Sequence, residues 1–122
     1  MIIGKISEGR PVIPVTFRLP GAPDLQLECV IDTGFAGYVT LPLAAVVAMR
    51  FPFFYKLPTN LANDARVLTD VFTGFILWQD AETEVETLAM GRRPLIGRAL
   101  LANNHIDMDF RENGLIRIES YQ

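Results

Sequence analysis

Short apolar or β-branched segments, separated at close intervals by turn-forming residues, constrain the fold of this chain more than any other feature. Three such segments come first, Ile2–Ile6, Val12–Leu19 and Leu25–Ile31, and the turn residues of Pro20–Asp24 separate the second from the third. The same pattern predicts further strands at Tyr38–Leu41, Tyr55–Leu61, Ala65–Gln79, Glu84–Met90, His105–Phe110 and Leu115–Glu119, and a short buried strand before Gly97. We therefore predict a mostly-β fold, either a barrel or a sandwich.

Two short helices are predicted between these strands. The first covers residues 42–50; Pro42 lies in its first turn, where proline is tolerated, and Thr40 is a possible cap. The second has one or two turns at residues 98–103. At 122 residues the chain is long enough for a real core, and we predict one domain over residues 1–122.

The composition argues against several classes of function. The net charge is −3 and no basic stripe is present, so no nucleic-acid partner is expected. The longest apolar run, Leu41–Met49, has nine residues, whereas a bilayer span needs roughly 20. Because the N-terminal residues also lack the pattern of a signal peptide, we predict no membrane partner and a cytoplasmic location. Cys29, the single cysteine, fits a reducing compartment and is predicted to be buried.

A carboxylate follows one of the predicted buried strands directly. Asp32 begins an Asp-Thr-Gly triplet that comes immediately after Val30 and Ile31. In one interpretation the triplet is an ordinary turn, in which Asp32 and Thr33 bond to nearby backbone and Gly34 takes a positive φ. In the other, a carboxylate at the end of a buried strand has its acidity tuned by desolvation and is functional.

A second motif lies late in the chain, at Pro94–Leu101. Alone, its two branched apolar residues followed by Gly97 indicate a buried strand that meets a helix at a close approach. Taken together, Val30–Gly34 and Leu95–Leu101 resemble the retropepsin-like (retroviral-type, single-domain) aspartic protease family, and its bacterial-type members most closely. The resemblance implies a closed β-barrel of the retropepsin-like acid protease type with two short helices.

The resemblance gives the triplet and its neighbours separate roles. Asp32 would be the catalytic carboxylate, Thr33 would bond across to the partner's turn, and Gly34 would let the substrate backbone approach. Phe35 and Ala36 stand where retroviral members have a small residue and then acids, so they would line the substrate cleft and make it more apolar.

Residues further along the chain would support or cover the site. A flap hairpin is expected at about residues 55–70, and Gly74 is a second, later candidate for its tip. The tip residues, which would contact substrate, are Ala62, Asn63 and Asp64. The loop packed beneath the Asp32 turn would consist of Leu95, Ile96 and Gly97. Arg98 would open the second helix, with Asp107, Asp109 or Glu112 as its candidate acidic partner.

One carboxylate cannot perform this chemistry alone. Attack of water on a peptide carbonyl needs one group that accepts a proton and another that donates one. Two carboxyl groups close together keep one proton between them and can do both. Because the chain has one Asp-Thr-Gly, the resemblance implies a homodimer in which Asp32 faces its symmetry mate. The predicted function is that of an aspartic endopeptidase acting on peptide or protein substrates, with no cofactor and no metal.

Two alternatives stay open. The chain is either a non-catalytic dimeric β-domain of the same fold that binds extended peptides or a protein partner, or an unrelated β-barrel with a chance Asp-Thr-Gly turn. Other chemistry is less favoured: the single histidine, His105, has the pattern of a surface residue, and Asp107 and Asp109 fit a solvated strand face better than a cation site.

Overall fold

Ten strands and two short helices make up the computed structural model, which describes residues 1–60 and 62–121. The strands are β1 (Ile2–Ser7), β2 (Arg10–Phe17), β3 (Leu25–Ile31), β4 (Val39–Leu41), β5 (Phe53–Asn60), β6 (Arg66–Trp78), β7 (Ala81–Ala89), β8 (Leu95–Ile96), β9 (Asn104–Met108) and β10 (Leu115–Ser120). The helices are α1 (Leu43–Met49) and α2 (Arg98–Leu101). The prediction of a mostly-β fold with two short helices is confirmed.

The strands form one sheet, and six of them pair in a ring. The order across the sheet is β5-β6-β7-β4-β8-β3-β2-β1-β10-β9, and β6 also pairs with β2. That additional pairing joins Thr16 to Leu77 and Phe17 to Ile76 in register, and so connects β6, β7, β4, β8, β3 and β2 into a closed circuit. The strands β1, β10 and β9 extend the sheet on one side of this circuit, and β5 extends it on the other.

Alternating apolar side chains from these strands fill the core. Strand β2 directs Ile13, Val15 and Phe17 inward, and β10 does the same with Ile116 and Ile118, because every second side chain of a strand lies on the same face. The α1 side chains Val46 and Met49 pack on the same cluster. Cys29 is fully buried in β3, as predicted.

Several predicted boundaries are wrong, and each has a local cause. Thr40 is not a helix cap but a residue of β4, because Pro42 occupies the N-cap position and its carbonyl accepts the first helical bonds. The strand predicted to begin at Glu84 begins three residues earlier, because the turn before it is only two residues long. Gln79 and Asp80 both have positive φ, as in a tight hairpin, and this allows β7 to begin at Ala81.

The long strand β6 divides into two parts with different neighbours. Its first part pairs with β5, from Arg66 opposite Asn60 to Phe72 opposite Phe53. Its second part pairs with β7 from Val71 onward. The first part of the hairpin, which we call the two-stranded arm (residues 56–60 and 66–70), therefore has no third strand beside it among the described residues.

Candidate active site

Asp32 lies directly after β3, at the start of a tight turn. Its backbone N–H donates to the Ile96 carbonyl at 2.9 Å, which extends the pairing of β3 with β8 by one residue. Its carboxylate Oδ1 accepts a hydrogen bond from the Gly34 N–H at 2.9 Å, and its carbonyl accepts one from Phe35 N–H at 3.2 Å. The side chain is half-buried, so its position is fixed while part of it stays accessible.

Strand β8 is inserted between the two strands that flank the Asp32 turn. It pairs in parallel with β3, with Val30 opposite Leu95 and Ile31 opposite Ile96, and antiparallel with β4. Ile96 is fully buried and belongs to the core, whereas Leu95 is half-buried on the other face. The structure thus brings the two sequence motifs together: Val30 and Leu95 are 65 positions apart in the chain and lie opposite each other in the sheet.

Gly97 passes so close to the loop after Asp32 that no side chain fits. A Cβ there would lie 2.3 Å from the Gly37 carbonyl oxygen and 2.7 Å from that of Phe35. The Gly97 N–H donates to the Tyr38 carbonyl at 3.0 Å, and the next N–H, of Arg98, donates to Phe35 at 2.8 Å. The start of α2 therefore supplies the hydrogen-bond donors that hold the Asp32 loop in place.

Phe35 packs against this junction instead of projecting away from it. A Cβ on Gly97 would meet its Cδ2 at 2.5 Å, and a Cβ on Gly37 would meet its Cζ at 2.6 Å, so the ring covers both glycines. The ring is half-buried, while Thr33, Gly34 and Ala36 are exposed. The cleft-lining role of Phe35 and Ala36 stays a prediction, and the ring has a packing role as well.

The predicted flap tip lies at the end of the two-stranded arm. Ala62 and Asn63 form the turn, the Asn63 side chain accepts a hydrogen bond from Ala65 N–H at 3.0 Å, and Asp64 has φ +64°. Leu61, the residue before it, lies outside the described residues. The alternative tip, Gly74, is wrong: it lies within β6, paired with Val85, where a Cβ would meet Thr87 Oγ1 at 2.6 Å.

None of the candidate acidic partners of Arg98 pairs with it. Asp107 lies 3.3 Å from Arg117 and 3.8 Å from His105, Asp109 lies 3.9 Å from Arg111, and Glu112 accepts a bond from Glu8 N–H. Arg98 is exposed, and within residues 1–60 and 62–121 its side chain makes no ion pair. The prediction fails because Asp107 and Asp109 lie beside cations of the β9–β10 hairpin, while Glu112 is bonded to the turn between β1 and β2.

Two groups near the site have altered acidity. Burial raises the pKa of the Cys29 thiol to about 12, because the thiolate would be desolvated in β3. The pKa of Tyr55 is also raised, chiefly by its 2.9 Å hydrogen bond to Glu86. This hydrogen bond joins β5 to β7 across β6. The local sequence of either strand does not predict it.

An open cavity of about 260 Å³ lies beside the loop, bordered by Tyr38, Phe54, Thr73, Glu84 and Glu86. No group of three or more His, Cys, Asp or Glu side chains in the described part of the chain is placed to hold a metal ion. Among the same residues, neither helix has the length and apolar character that crossing a bilayer requires.

A search against protein-family models and a search of curated proteins each find no match to this chain. The resemblance to the retropepsin-like proteases therefore depends on the two sequence motifs alone.

Proposed function

We propose that this chain is an aspartic endopeptidase of the retropepsin-like type, active as a homodimer. The observation that supports this most is the clamp on Asp32. Its backbone is bonded to β8, its loop is held by the first N–H groups of α2, and its carboxylate is oriented by Gly34. A carboxylate fixed on rigid elements and left partly accessible is what a reacting group requires.

The proposed reaction uses two copies of Asp32 that share one proton. The ionised carboxylate takes a proton from water, and the water oxygen bonds to the peptide carbonyl carbon. The protonated carboxyl group donates its proton to the carbonyl oxygen as the tetrahedral intermediate forms. When the C–N bond breaks, the protonated carboxyl group gives its proton to the leaving nitrogen. The other carboxylate takes a proton from a hydroxyl of the intermediate as the C=O bond re-forms, so the pair again holds a single proton.

The ring of six strands and the two-stranded arm have places in this proposal. The ring would be the barrel of the retropepsin-like fold, and the arm would be the flap that covers an extended peptide. The exposed tip at Ala62, Asn63 and Asp64 has a turn closed by an Asn side chain, so it would move as a stiff unit. Exclusion of water by such a lid strengthens the electrostatic interactions around the dyad.

The test replaces the carboxylate without changing its shape. Asp32→Asn should lower the rate of peptide cleavage by at least about a hundredfold, since it removes the group that accepts the proton. The readout is mass spectrometry of a library of extended peptides incubated across mildly acidic to neutral pH. Asp80→Asn is the matched control, because Asp80 is exposed and has the left-handed conformation that Asn also tolerates.

Wild-type activity in Asp32→Asn would contradict the proposal. Binding of extended peptides without any cleavage, by wild type and variant alike, would favour the second candidate function, a peptide-binding domain. That candidate is supported by two exposed apolar side chains on the arm, Val67 and Leu68, which are 40% and 66% exposed.

A further inference from the structure

The cavity beside the Asp32 loop has a lining that is both acidic and aromatic. Its volume is about 260 Å³, and Tyr38, Phe54, Glu84 and Glu86 are among the residues that border it. Pockets that hold a whole small molecule usually have roughly 300–1,000 Å³. The cavity is therefore suited to a single side chain of a larger ligand.

The strand pairing brings the acidic and aromatic residues of this cavity together. Strand β4 runs parallel to β7, with Val39 opposite Thr87, so the residues just before that pair, Tyr38 and Glu86, are neighbours. Glu84 precedes Glu86 by two positions in β7, and both side chains are exposed on the same face of the strand. The two carboxylates therefore lie along one side of the cavity.

Neither of these carboxylates is neutralised by a cation. In the part of the chain that the structure describes, Glu84 and Glu86 make no ion pair. Glu82, on the same face of β7, differs because it lies 3.8 Å from Arg18. Glu86 Oε1 accepts the hydrogen bond from Tyr55 at 2.9 Å, and its other oxygen is left to accept one from a ligand. A cleft with charge of one sign attracts a ligand of the opposite sign.

Aromatic rings border the cavity on the side of β5 and β4. Phe54 is the residue at which the pairing of β5 with β6 is irregular, between Phe53 and Tyr55, and such a bulge re-aims a side chain. Its ring meets the Tyr55 ring edge to face, with centroids 4.9 Å apart. Phe54 and Tyr38 are 58% and 39% exposed, so their rings are accessible. The face of an aromatic ring attracts a cation.

We propose that this cavity binds the guanidinium group of an arginine side chain in an extended peptide or protein segment. A guanidinium group is planar, stacks on aromatic rings and donates two parallel hydrogen bonds to a carboxylate, whereas the ammonium group of lysine is a strongly hydrated point charge. Glu84 and Glu86 accept the hydrogen bonds of the bound group. The rings of Phe54 and Tyr38 contact its face and the apolar stem of the arginine.

The binding itself needs no chemistry at Asp32, but its place gives the proposed function a substrate class. Tyr38 follows the Asp32 turn, and its carbonyl accepts the 3.0 Å hydrogen bond from the Gly97 N–H that holds this loop. On the proposed function, on which this step rests, the endopeptidase prefers peptides that carry an arginine near the cleaved bond.

The first experiment measures binding without cleavage. Isotope-labelled wild-type protein is titrated in NMR with the amides of N-acetylarginine, N-acetyllysine and N-acetylcitrulline, the last of which has the shape of arginine without its charge. The backbone signals of Tyr38, Glu84 and Glu86 should shift and saturate at the lowest concentration with the arginine amide. The lysine amide should need a higher concentration, and the citrulline amide should cause little shift. Equal responses to the arginine and citrulline amides overturn the site.

The second experiment assigns the binding to the two carboxylates. Glu84→Gln combined with Glu86→Gln should raise the dissociation constant of the arginine amide at least about fivefold, because two charged acceptors are lost. Glu82→Gln is the matched control, since its carboxylate lies on the same face of β7 but beside Arg18, and it should leave the constant unchanged. Unchanged binding in the double variant, or an equal loss in Glu82→Gln, overturns the assignment.

A third variant tests the aromatic wall. Phe54→Leu keeps an apolar side chain but removes the ring, so the dissociation constant of the arginine amide should rise about two- to fivefold. Phe110→Leu is its control, because Phe110 is also exposed and does not border the cavity. An unchanged constant in Phe54→Leu overturns the role of the ring.

The outcomes keep this site apart from the proposed function. Binding of the arginine amide without cleavage of any peptide supports the site and overturns the endopeptidase proposal. Cleavage that depends on Asp32, without binding of the arginine amide, supports the endopeptidase proposal and overturns the site. If both hold, arginine should be enriched near the bonds that wild type cleaves in a peptide library. Enrichment that survives in the double glutamine variant overturns the link between the site and the substrate class.

Discussion

At Gly97 the chain passes close to the Asp32 loop, and backbone oxygens of that loop occupy the place where a side chain would project. An added Cβ would lie 2.3 Å from the Gly37 carbonyl oxygen, and a backbone atom cannot move without moving the loop. We expect Gly97→Ala to lower the free energy of unfolding by about 1–3 kcal/mol, the usual cost of overpacking, and to lower cleavage activity with it. Urea denaturation and the peptide assay measure the two effects.

A neighbouring glycine gives the matched control. A Cβ on Gly37 would meet only the Phe35 ring, with Cζ at 2.6 Å, and a side chain can be shortened. Adding Phe35→Leu should therefore recover much of the stability lost in Gly37→Ala but little of that lost in Gly97→Ala. Equal recovery in both backgrounds would contradict the assignment of the Gly97 contact to backbone.

Cys29 gives a prediction about alkaline pH. Its pKa is raised by burial from 9.0 to about 12, so between these values the unfolded chain loses the thiol proton while the folded chain keeps it. Stability is therefore unaffected by this group below pH 9 and falls as the pH rises above 9, by up to about 1.4 kcal/mol per pH unit. Denaturant titrations of wild type and Cys29→Ala should diverge above pH 9, since the variant lacks this contribution. Parallel curves would contradict it.

At the scale of the element, helix α1 ends on an unfavourable residue. Arg50 closes the helix in the left-handed conformation, with φ +59°, and its N–H donates to the Val47 carbonyl at 3.1 Å. Glycine adopts this conformation without strain, so Arg50→Gly should stabilise the protein by roughly 1 kcal/mol. Thermal melting measures the change, and Arg50→Ala, which keeps the Cβ, should give no such gain.

The turns and the Asp32 strand are the elements that sequence alone predicts well. Asn63 and Asp64 indicate a turn because each tolerates an unusual backbone, and the structure places the hairpin tip there. Asp32 at the end of an apolar segment is likewise found after β3. These features depend on interactions between residues a few positions apart, which a local pattern records.

The insertion of β8 between β3 and β4 cannot be predicted from local sequence in the way that the turns can. Two residues, Leu95 and Ile96, carry too little pattern to specify two neighbours, and the pairing depends on the whole ring. The partner of Arg98 is mispredicted for a related reason. Which cation Asp107 meets is decided by the register of β9 with β10, where Arg117 is directly opposite.

At the scale of the whole molecule, a shared active site makes one copy sensitive to the other. If each site needs two Asp32 carboxyl groups, chains of Asp32→Asn that exchange with wild type will form mixed dimers with one carboxyl group. With random pairing at equal amounts, about half of the wild-type chains end up in such dimers. The activity per wild-type chain should then fall to about half, whereas added Asp80→Asn chains should not lower it.

The oligomeric state gives the same prediction a second readout. Dilution below the dissociation constant of the dimer should lower the activity per chain, because mass action separates the two halves of the site. Activity per chain that is independent of both dilution and added Asp32→Asn would show that a single copy suffices.

The division of β6 has a consequence for how this protein can vary. Among the described residues of the far part of the hairpin, 56–60 and 62–68, none contributes a side chain to the central apolar cluster, while the near part is held by β7 and β2. Insertions or deletions around the tip would therefore change the length of the two-stranded arm without disturbing the ring of six strands. We expect homologous chains with the same six-stranded ring to differ in loop length at this tip and, with it, in the ligands that they select.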